Sequence, residues 1–160
     1  MYSNVHSTED SRVYDHSPAL RLTIMTTRLT SASAVFLAAN LLHGADHYRQ
    51  GTERLTTEVT LGGTLLTIAA IGTLILCLRH DSRAPLVAAV VGLFAGVGVM
   101  AAHLAPHWSA LSDSYPDLGV DALAWIVVLA EIGAAFLLAF VGFRELRRES
   151  PQPGLESEPG

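Results

Sequence analysis

The sequence predicts an all-α integral membrane protein with four transmembrane helices in an up-down-up-down bundle. Half of its 160 residues are hydrophobic and only 16% are charged, whereas soluble domains carry about 25% charged residues. The hydrophobic residues are concentrated in four runs, at about 29–47, 59–79, 84–105 and 121–143. Each run is long enough to cross roughly 30 Å of hydrocarbon as a helix that rises about 1.5 Å per residue.

Polar segments flank the four runs at both ends of the chain. Residues 1–27 are mixed in charge and rich in Ser and Thr, and residues 149–160 consist mainly of Pro, Gly, Ser and Glu. Such compositions bury too little apolar surface to offset the entropy of ordering, so we expect two disordered tails. Arg28 before the first run also fits a signal peptide. The absence of a small-x-small cleavage motif after the run's apolar core favours an uncleaved first span.

The distribution of arginine predicts the orientation in the membrane. Of the ten basic residues, all of them arginine, eight lie before the first run, in the second loop or after the fourth run, and two lie in the first loop. Cytoplasmic loops carry an excess of positive charge. Both termini are therefore predicted to be cytoplasmic, in a multi-pass protein of the plasma membrane. Trp108, Tyr115 and Trp125 flank the third loop, where an interfacial aromatic belt is expected.

The third run carries a row of small residues that predicts close helix packing. Ala88, Gly92 and Gly96 recur at every fourth position, which lets a neighbouring helix approach the backbone. The same face continues toward His103. The histidine at the end of this run is therefore expected to point into the bundle.

Two groups of histidines close the first and third runs. Asn40, His43 and His47 have the spacing i, i+3, i+7 and so share one helix face. Asp46 lies directly before the second of these histidines. Because the first and third helices run outward in the predicted topology, their histidines should meet at one membrane depth, on the outer side. Polar groups at this depth should face the bundle interior rather than lipid.

Pro106 separates the two histidines of the third run. His103 and His107 are four residues apart, as on one face of a helix. Proline disfavours helix at the preceding residue and removes a backbone donor, so the helix is expected to kink or end there. This interruption puts the common face of the two histidines in question. It also predicts a free backbone carbonyl at Ala102.

These residues predict a metal site at the outer membrane face. The candidate ligands are His43, Asp46, His47, His103 and His107. Imidazole and carboxylate ligands without thiolate suit zinc, iron or copper. The function this favours is a metal-dependent membrane enzyme or a metal-handling protein, and the sequence leaves open whether it is catalytic. The simpler alternative is a set of interfacial histidines that bond to one another and to water.

Two acidic residues are the candidates for catalysis. Glu131 lies about ten residues into the fourth run, where a carboxylate is costly unless it is protonated or paired. Helical rise places it about 10–15 Å below the outer surface. This position favours a role in contact with the metal ligands rather than with the metal, or a role in proton transfer. Asp113 belongs to the polar segment 112–117, which could fold over the site as a lid, although an ordinary acidic loop on the outer side is the favoured interpretation.

Two other functions fit the same residues. His43 and His103 on facing helices could supply both axial ligands of a non-covalent haem. A transport, assembly or scaffold subunit without cofactor needs no metal. Four helices leave little room for an internal channel, so transport would require a homo-oligomer or a larger membrane partner. The chain has no basic patch with interleaved aromatic residues, which argues against nucleic-acid binding. The single cysteine, Cys77, excludes an internal disulfide.

Overall fold

The structure, a computed structural model, describes residues 18–51 and 55–149, and the regular elements in these ranges are all helices. In chain order they are α1 (Pro18–Gln50), α2 (Thr57–Leu78), α3 (Ala84–His103), the short α4 (Tyr115–Leu118) and α5 (Ala122–Glu149). α1 begins inside the segment predicted as an N-terminal tail. The remainder of that tail and the C-terminal tail after α5 lie outside the described residues.

Three of the helices, α2, α3 and α5, are long and apolar enough to cross a membrane, which indicates a membrane protein. Among the described residues, α1 is not one of these helices, and its apolar run contains Asn40, His43 and Asp46. Three of the four predicted spans are thus supported. The first span stays a prediction.

The long helices are arranged so that α1 and α3 lie diagonally. α1 packs on α2 and α5, whereas α3 packs on α2 and most extensively on α5. Arg49 at the end of α1 contacts Asp121 before α5. Thr56 before α2 donates to the carbonyl of Ala110, after α3. The C-terminal ends of α1 and α3 therefore meet the N-terminal ends of α2 and α5 at one end of the bundle, here called the site end.

One face of α1 points into the bundle along its length. Leu29, Ala32 and Phe36 follow one another at helical spacing and are buried in the main apolar core. Continuing along this face, Asn40 and His43 are also buried. The interior therefore changes from apolar to polar toward the site end. A buried polar side chain needs a hydrogen-bond partner, so the partners of these two residues define the site.

The predicted small-residue face of α3 packs against α5 at backbone distance. Ala88, Gly92 and Gly96 are all buried. A Cβ atom at Gly92 would lie 2.5 Å from the carbonyl oxygen of Ala135. From the other side, a Cβ atom at Gly142 of α5 would lie 2.5 Å from the backbone nitrogen of Ala89. The two glycines allow a helix contact that no larger residue permits.

We expect Gly92→Ala to destabilise the protein by about 1–3 kcal/mol, because the added methyl group overlaps the backbone of α5 and forces the helices apart. Gly98→Ala on the same helix is the matched control, since no atom lies within 4 Å of its Cβ position. Thermal unfolding in detergent measures the difference. Equal stability of the two variants would show that α3 and α5 do not pack in this way.

Candidate metal centre

Three of the predicted ligands, His43, His47 and His103, come together at the site end. The ring centroids of His43 and His47 are 4.6 Å apart, and those of His43 and His103 are 4.7 Å apart. One nitrogen from each of the three rings lies within 4.8 Å of those of the other two. Zinc binds imidazole nitrogen at about 2.0–2.1 Å, so the three rings must move closer together for their nitrogens to share one ion. The three histidines could hold a metal ion.

Glu131 is the buried partner of His43. Its side chain is 0% exposed, and its carboxylate contacts Nδ1 of His43. Nδ2 of Asn40 donates to the other oxygen of the same carboxylate at 2.8 Å. Thr67 of α2 in turn donates to Oδ1 of Asn40 at 2.7 Å. A continuous chain of hydrogen bonds thus links α2, α1 and α5 and ends on a candidate ligand.

Asp113 supports the other two histidines from the segment after α3. Its backbone carbonyl accepts a hydrogen bond from Nδ1 of His103 at 3.1 Å. Its carboxylate oxygen Oδ2 lies 3.5 Å from Nδ1 of His103 and 3.6 Å from Nδ1 of His47. Burial raises the pKa of the Asp113 carboxyl above its usual value. Both acidic candidates from the sequence are therefore next to histidines of the cluster.

These partners set the protonation of the rings. A carbonyl oxygen only accepts, so Nδ1 of His103 must carry the proton, and Nε2 keeps its lone pair. A carboxylate also only accepts, which gives the same result for His43 opposite Glu131. Carboxylate and carbonyl partners of this kind orient metal-binding histidines and raise their basicity. Nε2 of His43 and Nε2 of His103 therefore have lone pairs that a cation could bind.

The segment between α3 and α5 folds over the cluster, which is the less favoured of the two interpretations of residues 112–117. Ser112, Asp113, Ser114 and Tyr115 are buried. The amide of Asp113 donates to the carbonyl of Ala102 at 2.9 Å, which uses the acceptor left free at the end of α3. Residues 112–115 therefore cover the histidines from the site end.

Tyr115 is also a member of the cluster, and by sequence it belongs both to the expected aromatic belt and to the segment 112–117 that could cover the site. It is 1% exposed, and its hydroxyl lies 3.1 Å from Nε2 of His43. Burial raises the pKa of its phenol well above the usual value, so it is a hydrogen-bond donor. The sequence signal that points to it is the Ser114-Tyr115-Pro116 step, because proline near the first turn starts α4 and fixes the tyrosine over the site.

Two predicted ligands are not brought into the group. α3 ends at His103 and Leu104 caps it, so the chain before Pro106 has already left the helix. His107 consequently does not share the face of His103, and it is exposed. Asp46 is buried, but its carboxylate accepts from Nε of Arg49 and from Nε2 of Gln50, both at 2.7 Å.

Arg49 joins α1 to the start of α5 beside the cluster. Besides Asp46, its guanidinium donates to both oxygens of Asp121, at 2.8 and 2.9 Å. This pairing lowers the pKa of Asp121. Asp121 also accepts from the amide of Ala124 in the first turn of α5. The ion pairs fix the position of the α1 end, and hence of His47, relative to α5.

The ring spacing argues against the haem alternative. Two axial histidines approach an iron from opposite faces of a porphyrin, which must fit between them. The centroids of His43 and His103 are only 4.7 Å apart, and the rings meet edge to face at 70°. No planar macrocycle fits in that space.

Comparisons with protein-family models, with curated proteins and with solved structures gave no match. The interpretation of the site therefore depends on its own geometry.

Proposed function

We propose that this protein is a metal-dependent membrane enzyme whose metal is bound by His43, His47 and His103. The observation that carries the proposal is the convergence of three imidazoles, each with a nitrogen within 4.8 Å of the other two, and the buried partners on Nδ1 of His43 and Nδ1 of His103. Structural zinc sites use four protein ligands, whereas catalytic sites use three and keep one position open. A set of three histidines therefore fits a catalytic metal site better than a metal-storage site.

The environment of the three histidines supports the activation of a metal-bound water molecule. A divalent ion lowers the pKa of a water molecule in its open position to about 7. Asp113 lies beside two of the histidines and can take up the proton. Glu131 and Asn40 hold His43 in one orientation. The ion suited to three neutral nitrogens is zinc, with iron and copper as the alternatives.

The proposal includes four membrane spans with both termini in the cytoplasm and the site on the outer side. It is supported by the arginine distribution and by α1, which packs against two helices that are apolar enough to span. A reporter fused after Gly160 checks this topology, and an external signal from it would reverse the orientation.

Elemental analysis of the purified protein tests the proposed function. We expect about one zinc, iron or copper ion per chain, removed by a strong chelator and restored by adding the ion back. A folded protein that contains no metal and binds none on titration would contradict the proposal.

A cofactor-free scaffold is the second candidate function. It is favoured by the hydrogen bonds from Thr67 through Asn40 and Glu131 to His43, which join three helices without any ion. A protein of this kind would keep its thermal stability in the presence of chelator. The metal-dependent enzyme should lose stability when the ion is removed, because an ion bound only by the folded state stabilises it.

A further inference from the structure

Tyr115 places a phenolic hydroxyl inside the histidine cluster and holds it there. The ring lies 4.8 Å from the ring of His103 and packs perpendicular to Trp125 at 5.7 Å. Its side chain is almost completely buried. Because neighbours contact the ring on more than one side, the hydroxyl cannot turn to solvent without disrupting this packing.

The hydroxyl and a metal ion need the same lone pair. Nδ1 of His43 is engaged by Glu131, so the hydrogen bond from Tyr115 goes to the lone pair of Nε2. An ion bound by His43 takes that lone pair. The Tyr115 hydroxyl then loses its acceptor while remaining buried, which is unfavourable unless another acceptor arrives. The side chain of Gln50 is the other hydrogen-bond partner of the hydroxyl, and an anionic ligand beside the ion is a stronger acceptor than that neutral amide.

We infer that Tyr115 donates a hydrogen bond to the ligand in the fourth coordination position and thereby selects ligands with a negatively charged oxygen, of the carboxylate class. This inference rests on the metal site proposed above. A donor aimed at an anionic oxygen in a site shielded from water stabilises that charge strongly. A ligand without an acceptor atom next to the ion gains nothing from Tyr115.

Binding of two small probes to the cobalt(II)-loaded protein tests the role of Tyr115. Acetate has a charged oxygen at the metal, whereas imidazole binds through a nitrogen that has no lone pair left to accept a hydrogen bond. Both are titrated by the change in the visible cobalt spectrum. The variant is Tyr115→Phe, which keeps the ring and its contacts. Tyr48→Phe, at a tyrosine that is 79% exposed, is the matched control.

We expect Tyr115→Phe to bind one cobalt ion and to lose acetate affinity by about 10- to 100-fold, the usual worth of a hydrogen bond to a charged group. Imidazole affinity should stay the same, and Tyr48→Phe should match the unmodified protein for both probes. Equal acetate affinity in the two variants would overturn the inference and leave the metal site intact. Loss of cobalt by Tyr115→Phe alone would also overturn it. Failure of the unmodified protein to bind cobalt would instead contradict the proposed function.

Discussion

The His47→Ala variant should remain folded and lose its metal. His47 is the least buried of the three histidines, and its contact with Asp113 is a long one of 3.6 Å. Its removal therefore costs little structure, whereas His43 and His103 each make a buried hydrogen bond. Only two ligands remain in the variant. Removing an outer partner of a ligand typically weakens a site about 10- to 100-fold, so removing a ligand itself should cost more than that.

His107→Ala is the control for this experiment. It was an equal candidate by sequence, but its side chain is exposed and lies beyond the end of α3. We expect its metal affinity to match that of the unmodified protein. Competition with a chromophoric chelator in detergent gives the dissociation constants, and circular dichroism reports the fold. Similar losses in the two variants would mean that the metal binds elsewhere or through both groups of histidines at random.

Replacing Glu131 by glutamine should weaken metal binding by about 10- to 100-fold without unfolding the protein. The carboxylate keeps the proton of His43 on Nδ1. A glutamine whose amide nitrogen faces His43 donates to Nδ1 instead, which moves the proton to Nε2 and removes the lone pair a metal needs. In the opposite amide orientation, its nitrogen faces the nitrogen of Asn40 that now donates to Glu131. Both arrangements oppose the metal-binding form.

Glu145→Gln is the matched control for the Glu131 variant. Glu145 lies on the same helix, is 2% exposed and pairs with Arg148 rather than with a histidine. The same change of charge at that position should leave metal affinity unaltered. If Glu131→Gln binds the ion as tightly as the control does, the carboxylate is only a packing partner for Asn40 and His43.

Much of this fold could be predicted from hydrophobic runs. α2 and α3 begin and end within about two residues of the predicted spans, since lipid requires uninterrupted helices of defined length. The meeting of His43 and His47 with His103 also follows from topology and helical spacing. The small residues of α3 predicted a close helix contact, and Gly92 makes one with α5.

The level of Glu131 relative to the histidines could not be predicted from the ends of the hydrophobic runs. Glu131 was expected about 10–15 Å below the outer surface because helical rise was counted from the predicted end of the run. It contacts His43 directly, so the carboxylate and the histidine lie at the same level of the bundle. The axial shift between α1 and α5 depends on packing and on the Arg49–Asp121 pair, which no periodicity in either helix encodes.

The direction of a side chain within a helical turn was the second property that the sequence did not predict. Asp46 is three residues from His43 and could have pointed at the same ion, yet Arg49 and Gln50 in the next turn bind it. Whether His107 shares the face of His103 depended on whether Pro106 kinks the helix or ends it. The contact of Tyr115 with His43 could not be predicted from sequence, because it results from the course of residues 104–114, a stretch without helical periodicity.

The backbone contact between α3 and α5 also determines how anything can reach the histidines. Two helices joined at Gly92 and Gly142 cannot rotate or slide past one another without collision between main chains. His103 and Glu131 are therefore fixed relative to each other. For the proposed metal site, we therefore expect an incoming ion to enter by displacement of α1 or of the segment that carries Asp113 and Tyr115. We expect α3 and α5 to keep their side chains in place, and α1 or the segment after α3 to move when the site opens.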